Sequence, residues 1–328
     1  PPSELWALAA GAATETLRSD AVQFALLGGA LASCPTLAFG QPAPAMPTIG
    51  FLHSGAPGPN ARRVDGFRKG LANAGFVEGK NVAIEFRWAE GKNEKLAELA
   101  AELIAKRVAV IVTLSSTVAA VAAKKATSTV PIYFLIADPP VELGLVTSLN
   151  RPGGNATGIT TLAAEVSAKR LALLRELVPQ AGSMAALLQP GHPSAKPVRA
   201  SLEATAGTLG VKLDVLEASN DREIEVAYGA LKPGVPLLIA TDPFFFLRRA
   251  QLAALSAKHG VPTIYDSRES AEAGGLMSYG PNHVRLWEQG GGIVARILKG
   301  AKPADLPVVQ AAIFETIINM KAAKALNL

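Results

Sequence analysis

The chain has 328 residues, enough for two domains of ordinary size with substantial cores. Apolar residues make up 49% of it and charged residues 18%, which excludes an intrinsically disordered chain and a nucleic-acid-binding tail. The formal net charge is +5, but the basic residues are scattered in pairs such as Arg62-Arg63, which we interpret as solvated helix faces. We therefore expect no nucleic-acid partner.

Residues 1–40 are predicted to be an export leader. Phe24–Ala32 is a short apolar run that suits the central region of a signal peptide, and Ala38-Phe39-Gly40 fits a cleavage site. The alternative is a lipoprotein signal at Leu31-Ala32-Ser33-Cys34, in which Cys34 is lipidated. Both readings predict an exported, periplasmic protein. Cys34 is the one cysteine, so an intrachain disulfide and a multi-cysteine metal site are excluded.

The next segment alternates buried strands with helices. The β-branched apolar runs predict four strands, at Thr48–Leu52, Val82–Phe86, Val108–Leu114 and Ile132–Ile136. Apolar residues at helical spacing predict helices at Asn60–Ala74 (with Asn60 as its N-cap), Asn93–Lys106 and Thr117–Thr127, and a short helical segment at Leu143–Leu149. This order predicts a parallel sheet with helices on both faces.

After Gly158 the pattern begins again. The later strands are predicted at Ser183–Leu188, Lys212–Glu217, Val235–Ala240 and Pro262–Tyr265, and the helices at Glu165–Leu177, Ser194–Leu209, Asp221–Ala230 and Phe244–His259. IGFLHSGAP and VAIEF of the first half correspond to MAALLQPGHP and KLDVL of the second, a repeat of about 130 residues. We expect one lobe at 41–158 and another at 159–272, with 273–328 completing the first lobe. Ligands bind at the carboxyl ends of strands in such sheets.

Motifs for cofactors and covalent catalysis are absent from the sequence. No phosphate-binding loop occurs, no Gly-x-Gly-x-x-Gly follows the first strand, and no Gly-x-Ser-x-Gly occurs. The four histidines stand apart from other metal-ligating residues, so no metal site is predicted. Asp138 and Asp242, one in each half, are the one pair that an acid–base enzyme would use. We expect a protein that binds a ligand without a cofactor and is not an enzyme.

Several segments resemble the ABC-transporter substrate-binding proteins of the tryptophan/tyrosine-type group. They include IGFLHSGAP (49–57), GFRKGLANAGFVEGKNVAIEFRWAEG (66–91), LGLVTSLNRPGGNATGIT (143–160) and GGLMSYGP (274–281). The resemblance covers nearly all of residues 47–328. It implies the type I periplasmic-binding-protein fold, with two doubly wound parallel-sheet lobes joined by a hinge. It also implies capture of a small ligand, an amino acid with an aromatic side chain or a related acid, for a membrane permease with a separate ATPase subunit. We expect a monomer.

The predicted binding residues follow strands or begin helices. Ser115, Ser116 and Thr117 offer hydroxyls and backbone N–H groups to a carboxylate at a helix N-terminus, although simple N-capping explains them equally well. Asp138 or Asp242 is expected to pair with an ammonium group. The remaining candidates are Ser54 as a further donor and Trp88, Phe244, Tyr265 and Tyr279 as apolar contacts. For Phe244, Tyr265 and Tyr279, ordinary packing is the alternative.

Two rival functions remain open from the sequence. An exported α/β enzyme acting on a small acid would need a cluster of acid, base or nucleophile in the cleft, and the sequence offers only the aspartate pair. A ligand-sensing protein of the same fold would report occupancy to a receptor instead of a permease. We favour uptake.

Overall fold

The strands in the described part of the chain, residues 46–328 of a computed structural model, form two six-stranded sheets. The strands are β1 (Thr48–His53), β2 (Ala83–Trp88), β3 (Val110–Leu114), β4 (Ile132–Ile136), β5 (Ala156–Thr160), β6 (Ser183–Leu188), β7 (Lys212–Glu217), β8 (Leu237–Ile239), β9 (Thr263–Tyr265), β10 (Met277–Pro281), β11 (Val309–Gln310) and β12 (Phe314–Ile318). The predicted leader and Cys34 lie outside the described residues.

The helices cover the faces of these sheets. They are α1 (Pro57–Asn73), α2 (Leu96–Ala105), α3 (Thr117–Ala126), α4 (Ala163–Leu177), α5 (Ala195–Leu209), α6 (Asp221–Ala230), α7 (Pro243–Leu247), α8 (Arg249–His259), α9 (Arg268–Glu272), α10 (His283–Leu298) and α11 (Met320–Ala325), with short 3₁₀ turns at Asn93–Lys95 and Pro303–Asp305. Within residues 46–328, no helix combines the length and the apolar character that crossing a bilayer requires.

Each sheet is the centre of one lobe. The strand order is β11-β5-β4-β3-β1-β2 in the first lobe and β12-β10-β9-β8-β6-β7 in the second. Neighbouring strands pair in parallel except β10 and β12, which are antiparallel. The central strands β3 and β4 are buried along their whole length, which is why they consist of continuous apolar runs. The predicted fold, two parallel-sheet α/β lobes, is confirmed.

The boundary predicted at residue 158 is wrong, because Ala156–Thr160 forms β5 of the first sheet. This strand contains Gly158 at its centre and two threonines, so it lacks the long apolar run that marks β3 and β4. A Cβ atom at Gly158 would lie 2.0 Å from the carbonyl oxygen of Phe134, so the close packing of β5 on β4 requires glycine there. The predicted helical segment at 143–149 consists of turns and irregular backbone.

The C-terminal segment was expected to complete the first lobe, and only part of it does. Helix α10 packs against α1, and β11 pairs with β5, so both belong to the first lobe. Strands β10 and β12 pair within the second sheet instead. The chain therefore crosses between the lobes three times, at residues 161–162, 282 and 311–313.

Candidate functional site

A cavity lies between the carboxyl ends of the two sheets. It contains about 570 Å³ of space free of protein atoms, including its opening to solvent. The first lobe contributes polar side chains at the ends of β1 and β3 and on α1, namely His53, Asn60, Arg63, Ser115 and Thr117. The second lobe contributes polar side chains beyond β6, β8 and β9, namely His192, Thr241, Asp242 and Asp266, and the ring of Phe246. His283, at the crossing into α10, completes the wall.

Of the three consecutive hydroxyl residues Ser115, Ser116 and Thr117, only two face this cavity. Ser115 and Thr117 line it, whereas Ser116 is buried beside Ser54, with 2.8 Å between the two Oγ atoms. Ser116 occupies the N-cap position of α3, but its side chain makes no capping hydrogen bond. The N-capping interpretation is therefore wrong for Ser116. Since no side chain caps α3, the first N–H groups of this ten-residue helix are left for another acceptor.

Ser115 is held in an unusual backbone conformation, with φ of 56°. Its Oγ accepts a hydrogen bond from Nε1 of Trp287 at 2.9 Å and lies 3.3 Å from Nδ1 of His283. A left-handed non-glycine residue costs roughly 1–2 kcal/mol, and such strain is concentrated at functional sites. The two contacts to α10 hold Ser115 at the cavity wall.

Buried polar atoms without a hydrogen-bond partner are concentrated around this cavity. Among the described residues they include Asn60 Oδ1, Arg63 Nη2 and both carboxylate oxygens of Asp138. Buried polar groups normally have partners, because an unpaired one costs about 1–3 kcal/mol. Asn60 and Arg63 line the cavity, and Asp138 directly follows the lining residue Ala137. Donors and acceptors are thus presented together to whatever occupies the cavity.

The second lobe contributes two carboxylates whose pKa values are raised. Burial raises the pKa of Asp242, and the negative charges of Asp266 and Asp138 raise it further against the opposing effect of His192. One oxygen of Asp242 accepts the N–H of Phe244 at 2.6 Å and so caps α7. Burial also raises the pKa of Asp266, partly offset by Arg170 and Arg63. A cation entering the cavity would relieve the repulsion among these carboxylates.

Two histidines at the cavity are neutral at physiological pH. Burial, reinforced by the charge of Arg63 and opposed by a hydrogen bond to the backbone of Leu114, lowers the pKa of His53 to about 3. The same two causes lower the pKa of His283 to about 3. Neutral imidazoles add hydrogen-bonding capacity to the cavity without adding positive charge.

Arg63 connects the two lobes. Its Nε donates to Glu269 of α9 at 2.8 Å, and its guanidinium lies 3.9 Å from the centre of the Phe246 ring on α7. Burial alone would raise the pKa of Glu269, but the charge and hydrogen bond of Arg63 lower it to about 2. Beside this pair, Arg62 donates to Glu272 at 2.8 Å on the exposed surface. The lobes are therefore closed over the cavity in this structure.

Several predicted apolar contacts lie elsewhere. Tyr265 is a core residue of the second lobe, with its hydroxyl 3.1 Å from Ser256 Oγ, so its assignment to the site is corrected. Tyr279 stacks on Phe314 at 5.8 Å, and it does not line the cavity.

Trp88 and Phe244 also lie outside the cavity wall. Trp88 ends the edge strand β2, so it packs behind His53, at 5.0 Å between ring centroids, and lines an outer groove. Phe244 and Ser54 line a smaller cavity, which shares Asp242 and His192 with the main one. Phe246, of the same short helix as Phe244, lines the main cavity instead.

The sequence interpretation missed Asn60, Arg63 and the histidines. Helix α1 begins at Pro57, a residue suited to the first turn, so Asn60 lies inside the helix and does not cap it. Asn60 and Arg63 share the buried face of α1 with Val64 and Phe67, so Arg63 is not a solvated residue. The sequence did contain a signal for Arg63: it falls at the helical spacing of the apolar residues of α1, which predicts a buried position. His53 carried a signal too, since it ends a predicted strand.

Two α/β lobes with a polar cavity at facing strand ends form the architecture that solute-binding proteins use to enclose a small ligand. The family described as ABC transporter substrate binding protein matches residues 57–328, and the chain belongs to that family. It is 27% identical over 264 residues to the tyrosine-binding protein of Clostridioides difficile, covering 80% of this chain and 76% of the relative.

Solved structures share the fold. A conserved domain protein from Vibrio cholerae has a TM-score of 0.79 and 25% identity, covering 86% of this chain and 95% of that one. An ABC domain from Streptococcus pneumoniae in complex with L-Trp has a TM-score of 0.77 and 24% identity, covering 86% and 94%. A ligand-free, open substrate-binding protein with adhesive properties from Clostridium difficile has a TM-score of 0.63 and 24% identity, covering 86% and 95%.

Proposed function

We propose that this protein is the extracytoplasmic binding component of an ABC importer, which captures an amino acid with an aromatic side chain and delivers it to a permease. Membership of the substrate-binding family supports the general role. The names of a tyrosine-binding relative and of a structure in complex with L-Trp support this class of ligand. The proposal includes export to the periplasm, a separate ATPase subunit, and action as a monomer. Anchoring through Cys34 remains the alternative to leader cleavage.

The observation that carries the proposal is the buried Asp138 carboxylate, whose oxygens have no partner in the described residues, next to the uncapped N-terminus of α3. An α-amino acid presents an ammonium and a carboxylate one carbon apart. Its ammonium would pair with Asp138 and with Asp242 across the cleft, in charge-assisted hydrogen bonds. Its carboxylate would accept N–H groups of α3 together with the hydroxyls of Ser115 and Thr117.

The side chain of this amino acid would then extend toward the ends of β1 and α1. That part of the wall contains the rings of His53, Phe246 and His283. The guanidinium groups of Arg63, at 3.9 Å, and Arg249, at 4.6 Å, already cover part of the Phe246 ring. An aromatic ligand would therefore meet the edge of Phe246, an arrangement that aromatic pairs favour.

Titration calorimetry on ligand-stripped protein tests this proposal. L-Tyrosine, L-tryptophan and L-phenylalanine are compared with tyramine, which lacks the carboxylate, and with 3-(4-hydroxyphenyl)propionate, which lacks the ammonium. We expect 1:1 binding of at least one aromatic amino acid and a loss of about 10-fold or more for each truncated analogue of L-tyrosine. Failure of every aromatic amino acid to bind, or equal affinity for the truncated analogues, would contradict the proposal.

The same samples test the enzyme alternative. We propose that the aspartates bind a ligand and transform nothing, as expected for a substrate-binding family. One-dimensional NMR of the amino acid after long incubation with the protein should show an unchanged spectrum. New resonances that grow with time and with protein concentration would favour the enzyme.

A further inference from the structure

Arg170 is a buried cation of the second lobe that contacts Thr241, one of the residues lining the cavity. We propose that Arg170 fixes the Thr241 hydroxyl as a donor to the ligand's carboxylate, so that the second lobe holds this carboxylate together with α3 of the first. Thr241 is then a binding residue and Arg170 a positioning residue. This inference rests on the proposed capture of an amino acid, and it adds the contact that the second lobe makes to the carboxylate.

The guanidinium of Arg170, on α4, is anchored at the end of β8. Its Nη1 donates to the carbonyl oxygen of Ile239 at 3.1 Å, and its Nη2 donates to Thr241 Oγ1 at 2.7 Å and to Ser167 Oγ at 3.3 Å. These three acceptors are uncharged, and Nε has no partner among the described residues. A buried cation with neutral partners is costly to the folded protein, and a nearby anion would compensate it.

Asp266 supplies part of that compensation. Burial lowers the pKa of Arg170, and the charge of Asp266 offsets this effect only in part. Burial likewise raises the pKa of Asp266, against the charges of Arg170 and Arg63. The buried cation is therefore incompletely balanced, and the carboxylate of a ligand would add to its compensation.

The contact with Arg170 decides what the Thr241 hydroxyl can offer to a ligand. Its oxygen already accepts from a guanidinium, so its own proton is the group left to donate. An ammonium group on the same oxygen would bring two cations close together, and their repulsion disfavours that arrangement. A carboxylate is the acceptor that every amino acid carries, so Thr241 is suited to that end of the ligand.

Thr241 and the N-terminus of α3 belong to the same part of the cleft. Thr117 and Thr241 line the main cavity, and Val118 and Pro243, from the same two turns, line the smaller one. Two turns that share the walls of two cavities are neighbours across the cleft. A carboxylate that accepts N–H groups of α3 through one oxygen has a second oxygen for a donor from the other lobe.

A purely structural role for Arg170 is the alternative. Its contacts would then only stabilise the end of β8, and its removal would weaken the binding of every ligand alike. The two roles make different predictions for a ligand that lacks the carboxylate. Comparison of an amino acid with its decarboxylated amine therefore distinguishes them.

Calorimetric titration of the ligand-stripped protein with L-tyrosine and tyramine, or with L-tryptophan and tryptamine, tests the role of Thr241. Thr241→Val should lower the affinity for the amino acid about 10-fold and leave that for the amine within about 3-fold, because only the amino acid has a carboxylate. Thr241→Ser keeps the hydroxyl and should restore the wild-type ratio of the two affinities within about 3-fold.

Three outcomes of the Thr241→Val titrations would overturn the inference and leave the proposed function intact. They are an unchanged affinity for the amino acid, equal weakening of the amino acid and the amine, and a loss confined to the amine. Failure of the wild-type protein to bind any aromatic amino acid would instead overturn the proposed function.

Arg170→Met tests the positioning role with the same ligands. It should lower the ratio of amino acid to amine affinity about 10-fold, and the double variant Arg170→Met/Thr241→Val should match Thr241→Val within about 3-fold, because Arg170 acts through Thr241. Losses that multiply in the double variant would contradict this role. Arg175→Met is the matched control and should keep the wild-type ratio, since Arg175 of the same helix donates to the carbonyl oxygens of Val178 and Ala181 at 3.4 and 2.6 Å.

Arg170→Lys serves if Arg170→Met fails to fold by circular dichroism. Lysine keeps the charge but lacks the planar fork that reaches Ile239 and Thr241 together, so the ratio should fall about 3-fold or more. A wild-type ratio in Arg170→Lys would overturn the positioning role.

Discussion

Asp138 illustrates how a buried residue can lower stability and serve binding. The residue is 2% exposed, and its carboxylate oxygens have no hydrogen-bond partner in the described part of the chain. An uncompensated buried carboxylate is costly to the folded protein, and an arriving ammonium group would compensate it. Under the proposed function, the residue would therefore link ligand binding to stabilisation of the closed cleft.

Replacing Asp138 with asparagine should separate these two effects. We expect the ligand-free variant to be about 1–2 kcal/mol more stable than wild type, because the unpaired charge is gone. We also expect its affinity for an aromatic amino acid to fall about 10- to 100-fold, because a charge-assisted hydrogen bond is lost. Urea unfolding and calorimetry measure the two quantities. Glu142→Gln, at a nearby exposed position, should change neither. A ligand-free Asp138→Asn protein that is less stable than wild type would contradict this account.

The two histidines of the cavity predict acid sensitivity. Their folded pKa of about 3 lies below the usual histidine pKa of 6.5, so the unfolded chain binds protons that the folded chain does not. The stability that neutral His53 and His283 provide is complete above pH 6.5 and is lost as the pH falls toward 3. Each histidine should contribute a slope of about 1.4 kcal/mol per pH unit in that interval.

Urea unfolding of wild type and of His283→Gln at pH 7, 6, 5 and 4 measures that contribution. Carboxylates also titrate over this range, but they are common to both proteins, so the difference in slope isolates the histidine. The variant should lose stability less steeply on acidification. Identical slopes for the two proteins would mean that His283 is protonated in the folded state.

The polar residues at strand ends were predictable, and those from other elements were not. Ser115, Thr117 and Asp242 follow or adjoin apolar runs, so the geometry of a parallel sheet directs them to one edge. Arg63 reaches the cavity from the buried face of α1, and His283 from a crossing segment far along the chain. Their proximity depends on the packing of helices on the sheet, which local sequence does not specify.

At the scale of elements, the first lobe depends on very close packing of α1 against α10. A Cβ atom at Gly70 of α1 would lie 1.9 Å from the carbonyl oxygen of Glu288, which is backbone and cannot rotate away. Gly70→Ala must therefore separate the helices. We expect a loss of about 2–3 kcal/mol in the free energy of unfolding, measured with urea.

Gly292 of α10 provides the matched control for this substitution. A Cβ atom there would meet nothing within 4 Å. Gly292→Ala should stabilise the protein by about 0.5–1 kcal/mol, because alanine is the better helix former. A Gly70→Ala protein as stable as Gly292→Ala would show that the two helices do not pack as closely as described.

The elements differ in how well the sequence predicted them. Strands of continuous apolar residues, such as β4 and β6, have the predicted bounds, because burial on both faces leaves a clear pattern. β5 was missed because its packing requires glycine, and β12 because it is a partly exposed edge strand. The assignment of β10 and β12 to the second lobe could not be predicted, since pairing between distant strands depends on the crossings of the whole chain.

At the scale of the whole molecule, the ion pairs between α1 and α9 hold the lobes closed. Arg63 and Glu269 are largely buried, with side-chain exposures of 5% and 15%, whereas Arg62 and Glu272 are exposed. Breaking a buried pair costs far more than breaking an exposed one. We therefore expect Glu269→Gln to favour the open state and to weaken ligand binding about 10-fold.

Small-angle X-ray scattering detects this shift. The ligand-free Glu269→Gln protein should have a larger radius of gyration than wild type, and saturating ligand should reduce it. Glu272→Gln changes the neighbouring exposed pair and should resemble wild type in both scattering and affinity. If the two variants behave alike, the buried pair has no special part in closure.

The central claim is that an aromatic amino acid is held between the lobes, and a crystal structure of the complex with L-tyrosine tests it most directly. We predict the ammonium within hydrogen-bonding distance of Asp138 and the carboxylate at the N-terminus of α3. A ligand bound outside the cavity, or one whose ammonium does not contact an aspartate, would contradict this account.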